Sequence, residues 1–155
     1  MKPKIGVLIV AVIFTITLAA CAPQINVDSL EKSEYGDLAD TGITMNIKDK
    51  TVTTKTESLT IEYANATDTE YVFGKEPHLE IAGDDMWYVV PINESAAWEA
   101  IGIILPPNGI SEDDFSLGFY YEGLLPGHYR VIKTFYGDGG SVAAAAEFDL
   151  ADSDG

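Results

Sequence analysis

The chain carries a single cysteine, Cys21, and only two histidines, His78 and His128. One cysteine excludes an internal disulfide and any metal site built from several thiolates. The histidines stand far apart in sequence, and neither has a partner at metal-ligand spacing. They read as loop or edge residues, not as ligands or oriented bases. No Gly-x-Ser-x-Gly elbow is present. Basic residues are scarce too: 9 Lys and Arg face 25 Asp and Glu, a formal net charge of −16 with a pI of about 4.1. That balance argues against nucleic acid, whose phosphates need Lys and Arg to displace counterions, and against adsorption to anionic lipid head groups. The acids cluster at Asp84–Asp85, Glu112–Asp114 and Asp138, and none of these matches a twelve-residue calcium loop. They read as solvated turns, so no metal, no cofactor and no catalytic residue is expected. What remains is a chain of 155 residues, 46% hydrophobic, able to bury one core and too short for two.

Charge is absent altogether from Ile5 to Ala20, after a positive start at Lys2 and Lys4. An apolar run of about 16 residues is short for a membrane span of roughly 20. With small residues before a cleavage point, it reads as a secretory signal over residues 1–20. The sequence Leu18-Ala19-Ala20-Cys21 resembles the bacterial lipobox. The resemblance implies that the Cys21 thiol receives a diacylglycerol and that the peptide bond before it is cut. Cys21 then becomes the first residue of a protein lipid-anchored on the extracytoplasmic face of the bacterial cell membrane. Loss of Lys2 and Lys4 leaves 7 basic residues against 25 acidic ones, a charge of −18. Residues 21–41 are polar and acidic, and their apolar residues follow neither helix nor strand period. They are expected to form a flexible tether with a mean reach of roughly 25 Å.

From Gly42 onward, short runs rich in Thr, Val, Ile, Tyr and Phe alternate with turn residues every 8–12 positions, the signature of an all-β sandwich or barrel. Strands are expected at Ile43–Ile47 and Thr51–Thr54, then at Leu59–Tyr63 and Glu70–Phe73. A hairpin follows, from Leu79–Ile81 to Met86–Val90. Asn93 is placed to cap a helical turn before a short strand ending at Leu105. Phe115–Phe119 and Tyr129–Tyr136 are further strands. Ser141–Leu150, although rich in alanine, is expected as a strand because a glycine turn folds it back on Tyr129–Tyr136. Residues 151–155 are expected to be a disordered tail. About eight or nine strands in roughly 110 residues match immunoglobulin-type sandwiches, which have seven to nine in about 100.

Two stretches carry a family resemblance. One runs from Leu59 to Tyr71 and contains Asn65-Ala66-Thr67. The other is Leu105-Pro106-Pro107-Asn108-Gly109 with Leu124-Leu125-Pro126-Gly127-His128-Tyr129-Arg130-Val131. Together they resemble the bacterial immunoglobulin-like domains of Gram-positive lipoproteins. The resemblance implies an all-β immunoglobulin-like sandwich of about 7–9 antiparallel strands over residues 42–150. Pro126, Gly127 and Tyr129 would form the corner at which a tyrosine hydroxyl turns back to the backbone. The antibody disulfide positions hold Ile61 and Val131 instead, so stability must come from burial. Lys133 fits poorly, since it shares a strand face with Tyr129 and Val131. Either it sits at the sandwich end and snorkels out, or a bulge changes the register there.

Trp87, Tyr88, Trp98, Tyr120, Tyr121 and Tyr136 exceed what one small core needs, and Trp87, Trp98, Tyr120 and Tyr121 are the candidate binding residues. The Phe119-Tyr120-Tyr121 run cannot point all its rings one way in a strand. The expected protein is therefore a non-catalytic binding or structural module of the cell envelope. Its membrane partner is reached through the lipid, and a protein or glycan partner is expected but unidentified. The rival readings are an acidic inhibitor or sensor of a cationic envelope protein, and a carbohydrate-binding module. Cys21→Ser should move the protein from the membrane fraction to the soluble one; fractionation unchanged by the substitution refutes the anchor.

Overall fold

The structure, a computed structural model, describes residues 25–153. The expected signal over residues 1–20, with the expected lipobox residues Leu18, Ala19 and Ala20, and Cys21 all lie outside the described residues.

The strict apolar/polar alternation from Leu59 to Asn65 makes strand β4 (Leu59–Asn65), with Leu59, Ile61 and Tyr63 fully buried. It lies between β2 (Ile43–Ile47) and β9 (Ile110–Phe115), antiparallel to both, in a three-stranded sheet. The larger sheet is built on β10 (Gly127–Gly137) and β11 (Gly140–Ala151), paired from Gly127 opposite Leu150 to Gly137 opposite Gly140. The alanines of β11 are strand because that ladder overrides their helix propensity, and Ala144 and Ala146 pack inward. The other edge of β10 meets β5 (Tyr71–Gly74) and β6 (Leu79–Ala82). Beyond these lie β8 (Gly102–Leu105) on β5, β7 (Trp87–Val89) on β6, and β1 (Glu31–Lys32) on β7. The two sheets enclose one core in which Tyr63, Phe73 and Phe135 meet at ring separations of 4.4 to 5.9 Å. Each fully buried aliphatic or aromatic side chain contributes roughly 1.5–3 kcal/mol. Ile61 and Val131 are both fully buried.

The fold is the expected all-β sandwich, with four differences in detail. Among the described residues there are eleven strands, because β1 and β3 (Val52–Thr53) are two-residue pieces and β5 and β6 are halves of one interrupted strand. The pairing is not wholly antiparallel: β3 runs parallel to β11, since the chain leaves the small sheet after β2 and crosses to the large one. The strand expected at Phe115–Phe119 ends at Phe115, and a single helical turn, α1 (Leu117–Tyr120), follows it. At Asn93 there is a tight turn and no helix: its side chain accepts from the Ser95 N–H at 3.1 Å, and its carbonyl from the Ala96 N–H at 2.9 Å. At the C-terminus, Ala151 closes β11 and Ser153 is bonded to Thr54.

The interruption between β5 and β6 explains Lys133. Phe135 stands opposite Phe73 and Val131 opposite Leu79, so four steps along β10 match six along its partner. The two extra residues form a bulge that turns backbone carbonyls out of the ladder. The Lys133 amine donates to two of them, Gly74 at 3.0 Å and Glu76 at 2.7 Å. Burial pulls its pKa down to about 8, against the attraction of Asp113 and Glu76.

The far end of the sandwich is tied by Asn65, which is buried and whose side chain makes four hydrogen bonds. Its amide donates to the Thr69 carbonyl at 2.7 Å and the Pro106 carbonyl at 2.9 Å. Its oxygen accepts from the Thr67 N–H and hydroxyl at 2.9 and 2.8 Å. Asn108, left-handed at φ 49°, donates to Asp68 across the same gap at 2.8 Å. The Asn-Ala-Thr and Pro-Pro-Asn-Gly motifs are thus one knot. Asn65→Leu strands three part-buried backbone groups, at about 1 kcal/mol each, the low end of the cost when nothing replaces the bond. The expected loss is about 3 kcal/mol, seen as a melting temperature lower by about 10 °C or more. Asn108→Gly, which suits the left-handed backbone, should shift it far less.

Candidate functional site

Glu80 on β6 and Arg130 on β10 are direct cross-strand partners and point away from the core, onto the outer face of the large sheet. Both are nevertheless buried, at 0% and 3% exposure. The segment preceding β2 covers them. Residues 25–36, expected as part of a flexible tether, are docked: 25–30 against the core, 31–32 along the edge of β7, and 33–36 over this pair. The Ile25 N–H donates to the Gly123 carbonyl, a turn at Val27–Ser29 is capped by Asn26, and β1 pairs with β7. Ile25, Val27 and Leu30 pack against the core. Their spacing fits no regular period, which is why the sequence reads as linker.

The buried pair holds this strap by its backbone. Arg130 grips Glu80 Oε2 through Nε and Nη2, both at 2.7 Å. Its remaining N–H groups donate to the carbonyls of Tyr35 at 2.9 Å and Gly36 at 3.3 Å. Ser33 donates to Glu80 Oε1 at 2.5 Å, and His78 Nε2 meets the same oxygen at 2.8 Å. Burial pushes the Glu80 carboxyl up, but the bonds from Ser33, His78 and Arg130, with Arg130's charge, outweigh it and hold it below the usual range. Serine, histidine and carboxylate are all present, yet the carboxylate stands between the other two. The histidine does not touch the serine, as a base must to activate a nucleophile. This cluster holds a segment in place.

Trp87 lies in the same cluster, with the Arg130 guanidinium 4.4 Å from its ring centroid and the His128 ring at 5.5 Å. His128 meets Asp149 at 2.8 Å and Glu147 at 3.0 Å, and these bonds, Asp149's first, raise its pKa above the usual value. Neither histidine joins a metal centre: among the described residues no group of three or more His, Cys, Asp or Glu could hold one.

Past the strap, the outer face is bare. Tyr136, Val72 and Ile104 stand side by side across β10, β5 and β8, at 61%, 39% and 57% exposure. Next to this row a cleft of about 320 Å³ opens between Tyr35 and His78 on one side and Ile132, Thr134 and Tyr136 on the other. The acids Glu34 and Glu76 stand at its rim.

The four aromatic candidates scatter. Trp87 belongs to the strap cluster. Trp98 is exposed, beside Phe119, over a separate cavity of about 220 Å³ that also holds Lys75, Asp113 and Lys133. Tyr120 and Tyr121 are buried and unavailable to a ligand. The turn of α1 swings them inward with Leu117 and leaves Phe119 outside. The spacing of Leu117 to Tyr120 and Tyr121, three and four residues, is the helical signal that would have shown it. At the corner, the Tyr129 hydroxyl donates to the Leu125 carbonyl at 2.7 Å across Pro126 and Gly127. Sequence reasoning counted Tyr136 among the excess aromatics, but it missed Ser33, Glu80, Arg130, and Val72 and Ile104 beside Tyr136.

Glu80→Gln leaves Arg130 buried without its counter-charge, which costs about 3–5 kcal/mol for a pair of this kind. Denaturant titration should show a loss of that order, with faster amide exchange at Ser33. The pH dependence has a definite sign. The folded carboxyl lies below its ordinary 4.5, so its contribution is complete above that value and is lost as pH falls through the depressed one. Glu80→Gln should remove that acid-limb dependence.

The comparisons with known proteins bear mainly on family. The model of a bacterial Ig-like domain matches residues 39–149. No curated protein sequence matches the chain significantly. Among solved structures, the crystal structure of red sea bream transglutaminase is similar over 73% of this chain, at 15% identity and a TM-score of 0.43. This chain spans 17% of that one's length.

Proposed function

Since the chain belongs to the bacterial Ig-like domain family, which supports a non-catalytic module, we propose that it is a lipid-anchored binding module of the cell envelope. Cys21 carries the anchor, and the bare outer face of the large sheet receives a partner protein. The observation that carries this reading is the Tyr136–Val72–Ile104 row. Three large apolar side chains in register on three adjacent strands form a contiguous patch, and such patches on a monomer mark interaction sites. An aromatic flanked by aliphatic side chains is a composition suited to an interface centre.

The charge of the surroundings defines the partner. Glu34 and Glu76 stand beside the row, Asp138 lies two residues beyond Tyr136, and the whole chain carries −16. A partner that lays apolar side chains on the row and surrounds them with Lys and Arg gains both burial and steering. This merges the binding-module reading with that of a ligand for a cationic envelope protein. The Trp98–Phe119 cavity is smaller and already holds Lys75 paired with Asp113 at 3.3 Å, which makes the glycan reading the weaker one.

The double substitution Ile104→Ser, Tyr136→Ser should change stability little, because both side chains are exposed. It should abolish cross-linking of the anchored protein to its envelope partner, and raised salt should weaken the wild-type cross-link. A cross-linking pattern indifferent to both sinks the proposal.

A further inference from the structure

The docked strap constrains how an anchored domain stands. Chain reach is set by covalent geometry, at most about 3.3–3.6 Å per residue. Cys21 and Ile25 are four residues apart, so an anchor at Cys21 lies within about 14 Å of Ile25. The Ile25 N–H is bonded to the Gly123 carbonyl at 3.3 Å. Gly123 stands beside the Leu125–Gly127 corner where β10 begins. A tether with a mean reach of roughly 25 Å over 20 flexible residues is therefore replaced by a link of three residues.

The sandwich has two distinct ends. β10 runs from Gly127 at the corner to Gly137 at the hairpin tip, about 33 Å at strand rise. The far end gathers the Gly137–Gly140 turn, the Asn65 knot and the Pro106–Gly109 turn. A Cβ on Gly137 would touch Thr69, and Asn65 donates its N–H to the Gly109 carbonyl at 2.9 Å. The strap starts at the corner end, and its continuation reaches the far end, where the Gly42 carbonyl accepts from Ala66. Tyr136 is the residue before Gly137, so the bare row lies toward the far end.

We propose that the docked strap orients the domain end-on at the membrane, with the Gly123 corner at the lipid and the Tyr136–Val72–Ile104 row held away from it. This rests on the lipid anchor at Cys21. Charge acts in the same sense. A body of −18 close to an anionic surface is repelled over roughly a Debye length, ~8 Å. Held at one end, it lowers that repulsion by standing up, and the three-residue link gives it little room to lie down. A partner from outside the membrane then meets the bare row first.

The test uses the full, lipidated chain in vesicles containing an acceptor-labelled lipid. Acylation blocks Cys21, so a cysteine introduced at Glu122→Cys or at Asp138→Cys is the one free thiol for a donor dye. With the labels about 33 Å apart along the sandwich, energy transfer at 122 should exceed that at 138 about twofold or more. Insertion of about twelve Gly and Ser residues between Ala22 and Ile25, which leaves the strap untouched, should collapse the difference by restoring a flexible tether. Equal transfer at both positions in protein that floats with the vesicles overturns the orientation alone. Protein that fails to float overturns the anchor, and the orientation with it.

Discussion

The buried pair of Glu80 and Arg130 is the interaction on which the rest of the outer face depends. A guanidinium taken out of water must satisfy all of its N–H groups, and one carboxylate cannot do so alone. The carbonyls of Tyr35 and Gly36 take two more of them. The strap therefore does more than cover the pair. It supplies acceptors without which Arg130 would not be tolerated there. Removing the strap re-exposes a charged pair that solvates readily, whereas removing Glu80 leaves a cation with nowhere to go. The strap is the more reversible element of the two, and its position follows from the pair.

That dependence divides the large sheet into two functional halves. The half beneath the strap is polar, paired and closed, with Trp87 pinned under Arg130. The other half is apolar and open. The two-residue bulge between β5 and β6 marks their boundary, and Lys133 fills it from the core side. A strand interrupted there can carry one neighbour on each half, β8 beside β5 and β7 beside β6. The bulge thus lets β8 present Ile104 next to Val72, and an uninterrupted strand would give the row a different neighbour.

Much of the sandwich was legible from alternation. Leu59 to Asn65, the Tyr129–Tyr136 strand and the alanine-rich strand after it follow from period two and glycine turns alone. The resemblance motifs were legible too, although their meaning as a single knot was not, because Asn65 meets Pro106 only in space. The strap was illegible for a physical reason. Its apolar residues at 25, 27 and 30 obey no period, and its main holding groups are backbone carbonyls that every sequence possesses. Tyr120 and Tyr121 were misjudged because one helical turn was taken for the end of a strand. For the outer face, the sequence showed that Arg130 and Glu80 alternate outward, but not that a polar, acidic segment would seal them.

The acidic charge takes on a different meaning once the strap is in place. On a long tether, −18 would merely keep a domain away from lipid, in any orientation. With the proposed anchor at Cys21, a link of three residues would set the same charge against a fixed pivot, and repulsion would become torque. The pivot would lie at Gly123, with β10 as the long axis, and the end driven outward would carry the apolar row. A domain that needs one face accessible and is anchored at one end gains from being both elongated and strongly charged. The scarcity of Lys and Arg, which at first only excluded partners, then becomes part of how the remaining face is displayed.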